Sequence, residues 1–187
     1  MTVTEIIEAL KSGNAEYLSA KTNNGDVSEA RRRDLAVNGQ HPFAVVLTCA
    51  DSRVVPEHIF SVGLGSLFVI RTAGNVVGDF ESGSAEYAAA HLGAQVIVVM
   101  GHTHCGAVGA ALEGGHAHGH TGLGALVGEI TYALAGETEP LAACRKNIDN
   151  SVARLLENAE LRELVNAGKA AIHKAVYDIE TGAVEFY

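Results

Sequence analysis

Residues 96–106 read VIVVMGHTHCG, an apolar run that passes into a turn with two histidines and a cysteine. A short β-branched run that ends at glycine predicts a buried strand. The small residues from Ala107 to Leu112 favour a helix, so His102 and Cys105 are expected in the turn between strand and helix. An imidazole and a thiolate at this spacing can bind one soft metal ion, and zinc accepts both. On its own, this spacing is a weak indication of a metal site.

An earlier stretch of the chain has the same organisation. The apolar residues 43–48, FAVVLT, lead into residues 49–53, CADSR. Two such strands should lie side by side in a parallel sheet, and ligand sites in open α/β sheets form beyond the carboxyl ends of the strands. Cys49 is then expected to face His102 and Cys105. Two thiolates and one imidazole leave a fourth position for water, which is typical of catalytic rather than structural zinc.

The two motifs together resemble the paired signature of the β-class carbonic anhydrases. The similarity extends over most of the chain and includes four further stretches in the family's order: Gln40–Pro42, Leu67–Asn75, Ser84–Tyr87 and Ala175–Gly182. The resemblance implies reversible hydration of carbon dioxide to bicarbonate and a proton, by attack of zinc-bound hydroxide. It also implies one Zn²⁺ per chain, held by Cys49, His102 and Cys105.

Asp51 and Arg53 match the catalytic pair of the family. Asp51 lies two residues from Cys49, so its carboxylate can serve as a fourth zinc ligand in a closed state. The planar guanidinium of Arg53 can instead hold the carboxylate in a bidentate pair. In that arrangement Asp51 accepts a hydrogen bond from the zinc-bound hydroxide. The sequence leaves both arrangements open.

By the same resemblance, the substrate pocket is built across a dimer interface. Gln40 matches the amide that bonds a substrate oxygen, and Phe68, Ala73 and Tyr87 match the apolar wall. We therefore expect a homodimer or a dimer of dimers, with a helical arm at residues 1–39 lying across the partner subunit. From their positions on a strand and a helix alone, Phe68 and Tyr87 are typical of core residues.

One departure from the family concerns regulation. In members that bicarbonate inhibits at a second site, a Trp–Arg–Tyr group holds the anion near the metal. Arg71 matches the arginine of that group, but Val46 stands at the position of the tryptophan. This difference favours the open form of the site, in which water rather than Asp51 is the fourth ligand of the zinc. Thr72 also replaces the asparagine that is usual in the following loop.

Length and composition indicate one domain, residues 1–187, with an α/β core from residue 40. Hydrophobic residues make up 48% of the 187 residues and charged residues 19%, which is typical of a globular protein. The net charge of −9 argues against a nucleic-acid partner. The absence of a long apolar run or signal peptide argues against a membrane segment. With two of the three cysteines assigned to metal, a reducing cytoplasmic location fits best. Three cysteines do not suit a disulfide framework, and Cys144 is expected to be a buried helix residue.

The pattern of elements predicts a mostly parallel central sheet flanked by helices, with a hairpin at the C-terminal edge. Strands are expected near residues 43–48, 66–71, 96–102 and 170–179, with a last short strand at 184–186. The helices are expected near residues 4–20, 28–37, 82–92, 123–134 and 141–165.

Several alternatives stay open at this stage. His116, His118 and His120 lie in a glycine-rich stretch that is expected to be an exposed loop, with a second metal site as the alternative. Relatives of the family hydrolyse carbonyl sulfide or carbon disulfide, which are also linear and apolar. A further alternative is a non-enzymatic interaction module whose sheet is stabilised by a structural zinc. The presence of Asp51 and Arg53 argues against it, because a structural zinc site needs neither residue. A nucleotide-binding domain needs a glycine-rich phosphate motif, which the strand ends lack.

Overall fold

A computed structural model of the chain describes residues 1–19, 23, 25–114 and 121–187, so the predicted histidine loop lies outside the described residues. The five strands are β1 (Ala44–Cys49), β2 (Leu67–Thr72), β3 (Val96–His102), β4 (Ala171–Tyr177) and β5 (Val184–Phe186). The helices are α1 (Val3–Ser19), α2 (Glu29–Asn38), α3 (Pro56–Ile59), α4 (Asp79–His91), α5 (Gly106–Leu112), α6 (Gly122–Leu134), α7 (Pro140–Glu157) and α8 (Ala159–Asn166). In this part of the chain, no helix combines the length and the apolar character that crossing a membrane requires.

The strands form one sheet in the order β2-β1-β3-β4-β5. The first four strands are parallel, and β5 pairs with β4 in the antiparallel sense. Every residue of β1 and of β3 is buried, as expected for central parallel strands that are covered on both faces. The predicted α/β architecture, with its mostly parallel sheet and C-terminal hairpin, is therefore confirmed.

Alternate residues of the central strands point to two separate apolar clusters. On one face, Val46 and Met100 pack with Ile6, Leu10 and Phe60, which come from α1 and the turn after α3. On the other face, α4, α7 and α8 cover the sheet. The side chains that meet there include Leu47, Val99, Ala88, Ile148, Leu155 and Leu161.

Gly101 allows α7 to pack closely against β3. A Cβ atom at this position would lie 2.8 Å from both Cys144 Sγ and Ile148 Cδ1. A glycine inside a strand often marks such a close approach of a neighbouring element. The contact brings α7 close to the carboxyl end of β3, where the turn to α5 begins.

The two N-terminal helices are attached to the sheet very differently. In α1, the side chains of Ile6, Ile7 and Leu10 are buried, and so is Asn14. Asn14 Nδ2 donates to the carbonyl groups of Ile59 and Gly182, which joins α1 to α3 and to the β4–β5 turn. No residue of α2 is buried. The second helix therefore has little contact with its own chain.

The expected single helix over residues 141–165 is wrong, because two helices occupy this region. Asn158 adopts an extended conformation with φ −65° and ψ 120°, which ends α7. Its side chain then accepts a hydrogen bond from the Leu161 amide at 3.1 Å and so forms the N-cap of α8. The start of α4 also lies three residues earlier than expected. There the Glu81 carboxylate accepts a hydrogen bond from the Gly78 amide at 2.9 Å.

We predict that Gly101→Ala lowers the free energy of unfolding by about 1–3 kcal/mol, because the added methyl group forces Cys144 and Ile148 to shift. Gly128→Ala, inside α6, is the matched control. No atom lies within 4 Å of a Cβ at that position, so alanine should be neutral or stabilising by up to about 1 kcal/mol. Urea unfolding at one protein concentration measures both values. Equal stabilities of the two variants would contradict the close contact at Gly101.

Candidate metal centre

The carboxyl ends of β1 and β3 bring three potential metal ligands together. Cys49 is the last residue of β1, His102 is the last residue of β3, and Cys105 is the N-cap of α5. Because β1 and β3 are adjacent and parallel, both strand ends lie at the same edge of the sheet. One ligand atom from each residue lies within 4.8 Å of the other two, and all three residues are buried. The chain leaves β1 for β2 on one side and reaches β3 on the other, so this is a topological switch point.

The hydrogen bonding of His102 leaves one ring nitrogen free. Nδ1 lies 2.8 Å from the Thr103 carbonyl oxygen, which only accepts, so this nitrogen carries the proton. Nε2 is buried and has no hydrogen-bond partner among the described residues. An unpaired buried acceptor is costly, whereas a metal ion would satisfy it. With two sulfurs beside it, the group fits zinc in its type and number of donors.

Cys49 lies in surroundings that stabilise a thiolate. The pKa of its thiol is lowered, first by a hydrogen bond from Cys105 and then by hydrogen bonds from two backbone amides. Those amides belong to Asp51, 3.4 Å from Cys49 Sγ, and to Gly74, 3.2 Å from the same sulfur. The neighbouring Cys49 sulfur in turn raises the pKa of Cys105. The pair therefore holds negative charge where a divalent cation would bind.

Asp51 and Arg53 form a bidentate ion pair beside the three ligands. Arg53 Nε lies 3.0 Å from Asp51 Oδ1, and Arg53 Nη2 lies 2.7 Å from Oδ2. Nη2 also donates to the His104 carbonyl at 3.1 Å, which ties the two motifs to each other. The hydrogen bonds from Arg53 hold the pKa of the Asp51 carboxyl well below its usual range. Of the two arrangements that the sequence left open, the structure has Asp51 paired with Arg53.

Arg71 supports the segment between Cys49 and Asp51. Its Nε donates to the Cys49 carbonyl at 3.2 Å, and its Nη2 donates to the Asp51 carbonyl at 2.7 Å. These bonds fix the backbone on either side of the turn that carries the ion pair. Val46, at the position of the family's tryptophan, is fully buried in the sheet. Thr72 has a local role, since its hydroxyl donates to the Val76 carbonyl at 2.5 Å.

The four expected pocket residues do not gather around the three ligands of their own chain. Phe68 and Tyr87 contact each other, with ring centroids 6.2 Å apart. Phe68 pairs with Val45 near the start of β1, four residues before Cys49. Four residues of a strand span about 13 Å. The aromatic pair therefore lies towards the opposite edge of the sheet.

Gln40 and Ala73 lie at opposite ends of the sheet, and both are exposed. Gln40 precedes the start of β1, whereas Ala73 directly follows the carboxyl end of β2. Only Ala73 is therefore at the edge that carries the metal ligands. Tyr87, which has the position of a core residue in sequence, is 47% exposed.

Sequence reasoning missed several groups that surround the ligands. Cys144 is buried in α7, as expected, but its Sγ also lies 3.5 Å from the His102 carbonyl oxygen. The Gly74 amide was equally unexpected as a donor to Cys49. Asn147 and Ser151, on α7, contact the turn that contains Gly74. These two residues could have been identified from the sequence, because they are polar residues on the apolar face of the helix.

Comparison with known proteins gives one consistent result. The carbonic anhydrase family profile matches residues 44–184. Carbonic anhydrase 2 of Mycobacterium tuberculosis is 36% identical over 185 residues, which cover 94% of this chain and 88% of that protein. The solved structure of the β-carbonic anhydrase CcaA has a TM-score of 0.74 and 28% identity, covering 98% of this chain and 86% of that one. A tetrameric β-carbonic anhydrase of Sordaria macrospora has a TM-score of 0.72 and 25% identity, covering 98% and 96%. This chain belongs to the β-carbonic anhydrase family of enzymes.

Proposed function

We propose that the protein catalyses the reversible hydration of carbon dioxide with one Zn²⁺ per chain, held by Cys49, His102 and Cys105. The unpaired Nε2 of His102, buried beside two sulfurs, is the observation that carries the proposal. When bound, zinc supplies the Lewis acidity that makes a water molecule nucleophilic near neutral pH. Three protein ligands leave one coordination position for that water.

The roles of the polar residues follow from their contacts. The Thr103 carbonyl accepts the Nδ1 proton of His102, which orients the ring and keeps Nε2 available as a ligand. Arg53 holds both carboxylate oxygens of Asp51 and so keeps the carboxylate ionised and in one orientation. An ionised carboxylate held in this way accepts a hydrogen bond from the nucleophile and orients it for attack. Asp51 is therefore the proposed catalytic acceptor, and Arg53 is its positioning partner.

The proposal includes a homodimer, or a dimer of dimers, in which the partner completes the pocket. Phe68 and Tyr87 lie about 13 Å along the strand direction from the level of Cys49. Gln40 precedes β1 at the same distant edge. Such residues can line a site only if a second copy brings them to it. Both Gln40 and Tyr87 are exposed and so available for that contact.

Surface properties support a second copy as the partner. The ten-residue helix α2 buries none of its side chains, and isolated helices of this length are marginal in water. Large apolar side chains are also exposed on α2, α4 and α6: Val37 at 82%, Phe80 at 87% and Tyr132 at 79%. The structural relative from Sordaria macrospora is tetrameric. An assembly of identical chains would cover these surfaces and give α2 a packing partner.

A cytoplasmic location fits the chemistry of the proposed ligands. Cys49, Cys105 and Cys144 are all free and buried. Two of them must stay reduced to bind metal, and a reducing compartment maintains that state.

We predict about one zinc per chain in the purified protein. Cys49→Ser and Cys105→Ser should each lose the zinc and lower carbon dioxide hydration at least about 100-fold, because a neutral hydroxyl is a poor zinc ligand. Cys144→Ser is the matched control, since a serine hydroxyl can still donate to the His102 carbonyl. Elemental analysis and stopped-flow hydration assays measure both quantities. Full zinc content in either ligand variant would refute the assignment.

A second prediction separates catalysis from metal binding. Arg53→Ala and Arg53→Lys should both keep zinc but lower the hydration rate by about 100-fold, because neither side chain can hold Asp51 in a bidentate pair. Arg162→Ala, at an exposed arginine that donates to the carbonyl groups of Leu156 and Glu157, is the control and should keep the wild-type rate. If Arg53→Lys turns over as fast as the control, the fixed orientation of Asp51 is not required.

A third prediction tests whether two chains share each site. Cys105→Ser destroys the metal end of a chain, and Gln40→Ala alters only the pocket end. Removing one hydrogen-bond donor to the reacting group should lower the rate of the Gln40→Ala homodimer by about 100-fold. In a heterodimer of these two chains, one of the two symmetric sites is intact, so about half of the wild-type rate should return.

Heterodimers can be purified after co-expression with two different affinity tags. The control heterodimer pairs Cys105→Ser with Cys49→Ser and should stay inactive, because neither chain has its metal ligands. No recovery in the first heterodimer, or an active monomer in sedimentation, would contradict a shared site.

A further inference from the structure

The turn that follows β2 places a backbone donor against a metal ligand. Residues 73–75 form a short turn, in which Gly74 has φ 64° and Asn75 has φ 49°. Glycine adopts the left-handed conformation freely, but at Asn75 this conformation is less common and depends on surroundings that hold it. In this conformation the Gly74 amide donates to Cys49 Sγ at 3.2 Å. The position of this N–H group therefore depends on what holds the turn.

Two buried polar residues of α7 hold the turn from one side. Asn147 Nδ2 donates to the Gly74 carbonyl at 2.6 Å. Ser151 Oγ lies 2.8 Å from the Asn75 carbonyl oxygen and accepts from Asn75 Nδ2 at 3.2 Å. Asn75, Asn147 and Ser151 are each at most 2% exposed. Together they bind the backbone of both left-handed residues and leave little room for the turn to relax.

Apolar contacts hold the same turn from the other side. A Cβ atom at Gly74 would lie 2.7 Å from Ile130 Cδ1 and 3.1 Å from the Cβ of Ala107. The turn is thus enclosed by α5 and α6 on one side and by the polar residues of α7 on the other. Burying three polar side chains is costly unless they are hydrogen-bonded, and here their bonds converge on a single backbone segment.

We propose that Asn147 and Ser151 are positioning residues of the metal centre, which keep the Gly74 N–H directed at Cys49 Sγ and so limit the charge that this thiolate donates to the bound metal. The inference rests on the proposed function, because it assumes that Cys49 is a metal ligand. A hydrogen bond to a thiolate withdraws electron density from the sulfur. Two thiolate ligands alone would neutralise the charge of a divalent ion and weaken it as a Lewis acid. The bond from Gly74 moderates that effect.

The test uses Ser151→Ala and Asn147→Ala in the full-length protein loaded with Co²⁺ in place of zinc. Loss of the N–H···S bond raises the energy of the sulfur lone pairs, so the thiolate-to-cobalt charge-transfer band should move to longer wavelength. The dissociation constant for Zn²⁺, measured by competition with a chelator, should rise about 10- to 100-fold, because the released turn no longer holds the Cys49 side chain in position. This loss of orientation outweighs the stronger electron donation from the sulfur. Each variant carries the test independently if the other does not fold.

Asn150→Ala is the matched control, because Asn150 lies on the same helix but donates to Glu129 Oε1 at 2.9 Å. This variant should keep both the wild-type band and the wild-type affinity. The proposal would be overturned if the Asn147 and Ser151 variants unfold more readily but keep the charge-transfer band and the zinc affinity of the control. The two residues would then have a purely structural role. Carbon dioxide hydration by the wild type is measured separately. If the wild type does not hydrate carbon dioxide but the charge-transfer band still shifts in the variants, the proposed function is refuted and the positioning role is not.

Discussion

The parallel pairing of β1 with β3 is the constraint on which the rest of the site depends. The two strands share four register pairs, from Val45–Ile97 to Thr48–Met100, and both are buried along their whole length. Within this pairing, Thr48 Oγ1 donates to the Met100 carbonyl at 2.7 Å. Thr48 directly precedes Cys49, and Met100 lies two residues before His102. A shift of one residue would turn every side chain of the shifted strand to the opposite face of the sheet. The register thus decides whether a thiolate and an imidazole meet.

Once the strand ends are adjacent, the chain has to stabilise negative charge in a buried place. It does so with backbone and side-chain donors that come from separate elements. Amides of Asp51 and Gly74 donate to Cys49 Sγ, and Arg71 donates to the carbonyl groups of Cys49 and Asp51 within the first motif. Arg53 then holds Asp51 and the His104 carbonyl. Within the described part of the two motifs, His102 Nε2 is buried without a hydrogen-bond partner, at the position where a metal would bind.

Much of this arrangement could be predicted from sequence, because it depends on short motifs and on strand order. Apolar runs that end in cysteine or histidine predicted both the parallel pairing and the proximity of the ligands. The division between α7 and α8 could not be predicted in this way. Apolar periodicity continues across Asn158, and only its extended backbone shows that the side chain caps a new helix. Asn147 and Ser151 were missed for a related reason, since their partners are backbone groups more than seventy residues away.

The location of the proposed pocket residues has a further consequence for how the enzyme is built. The strands of a parallel sheet begin at one end and finish at the other. This chain places the three proposed metal ligands at the carboxyl end, and Phe68 and Tyr87 towards the amino end. Ala73 is the exception, because it adjoins the turn that donates to Cys49. On the proposed assembly, each chain gives a metal to one site and an apolar wall to another. Folding of one chain then prepares the metal end through the β1–β3 register, while association supplies the apolar surface that a small uncharged substrate requires. Dividing the site in this way leaves the aromatic ring of Tyr87 exposed to solvent in the isolated chain.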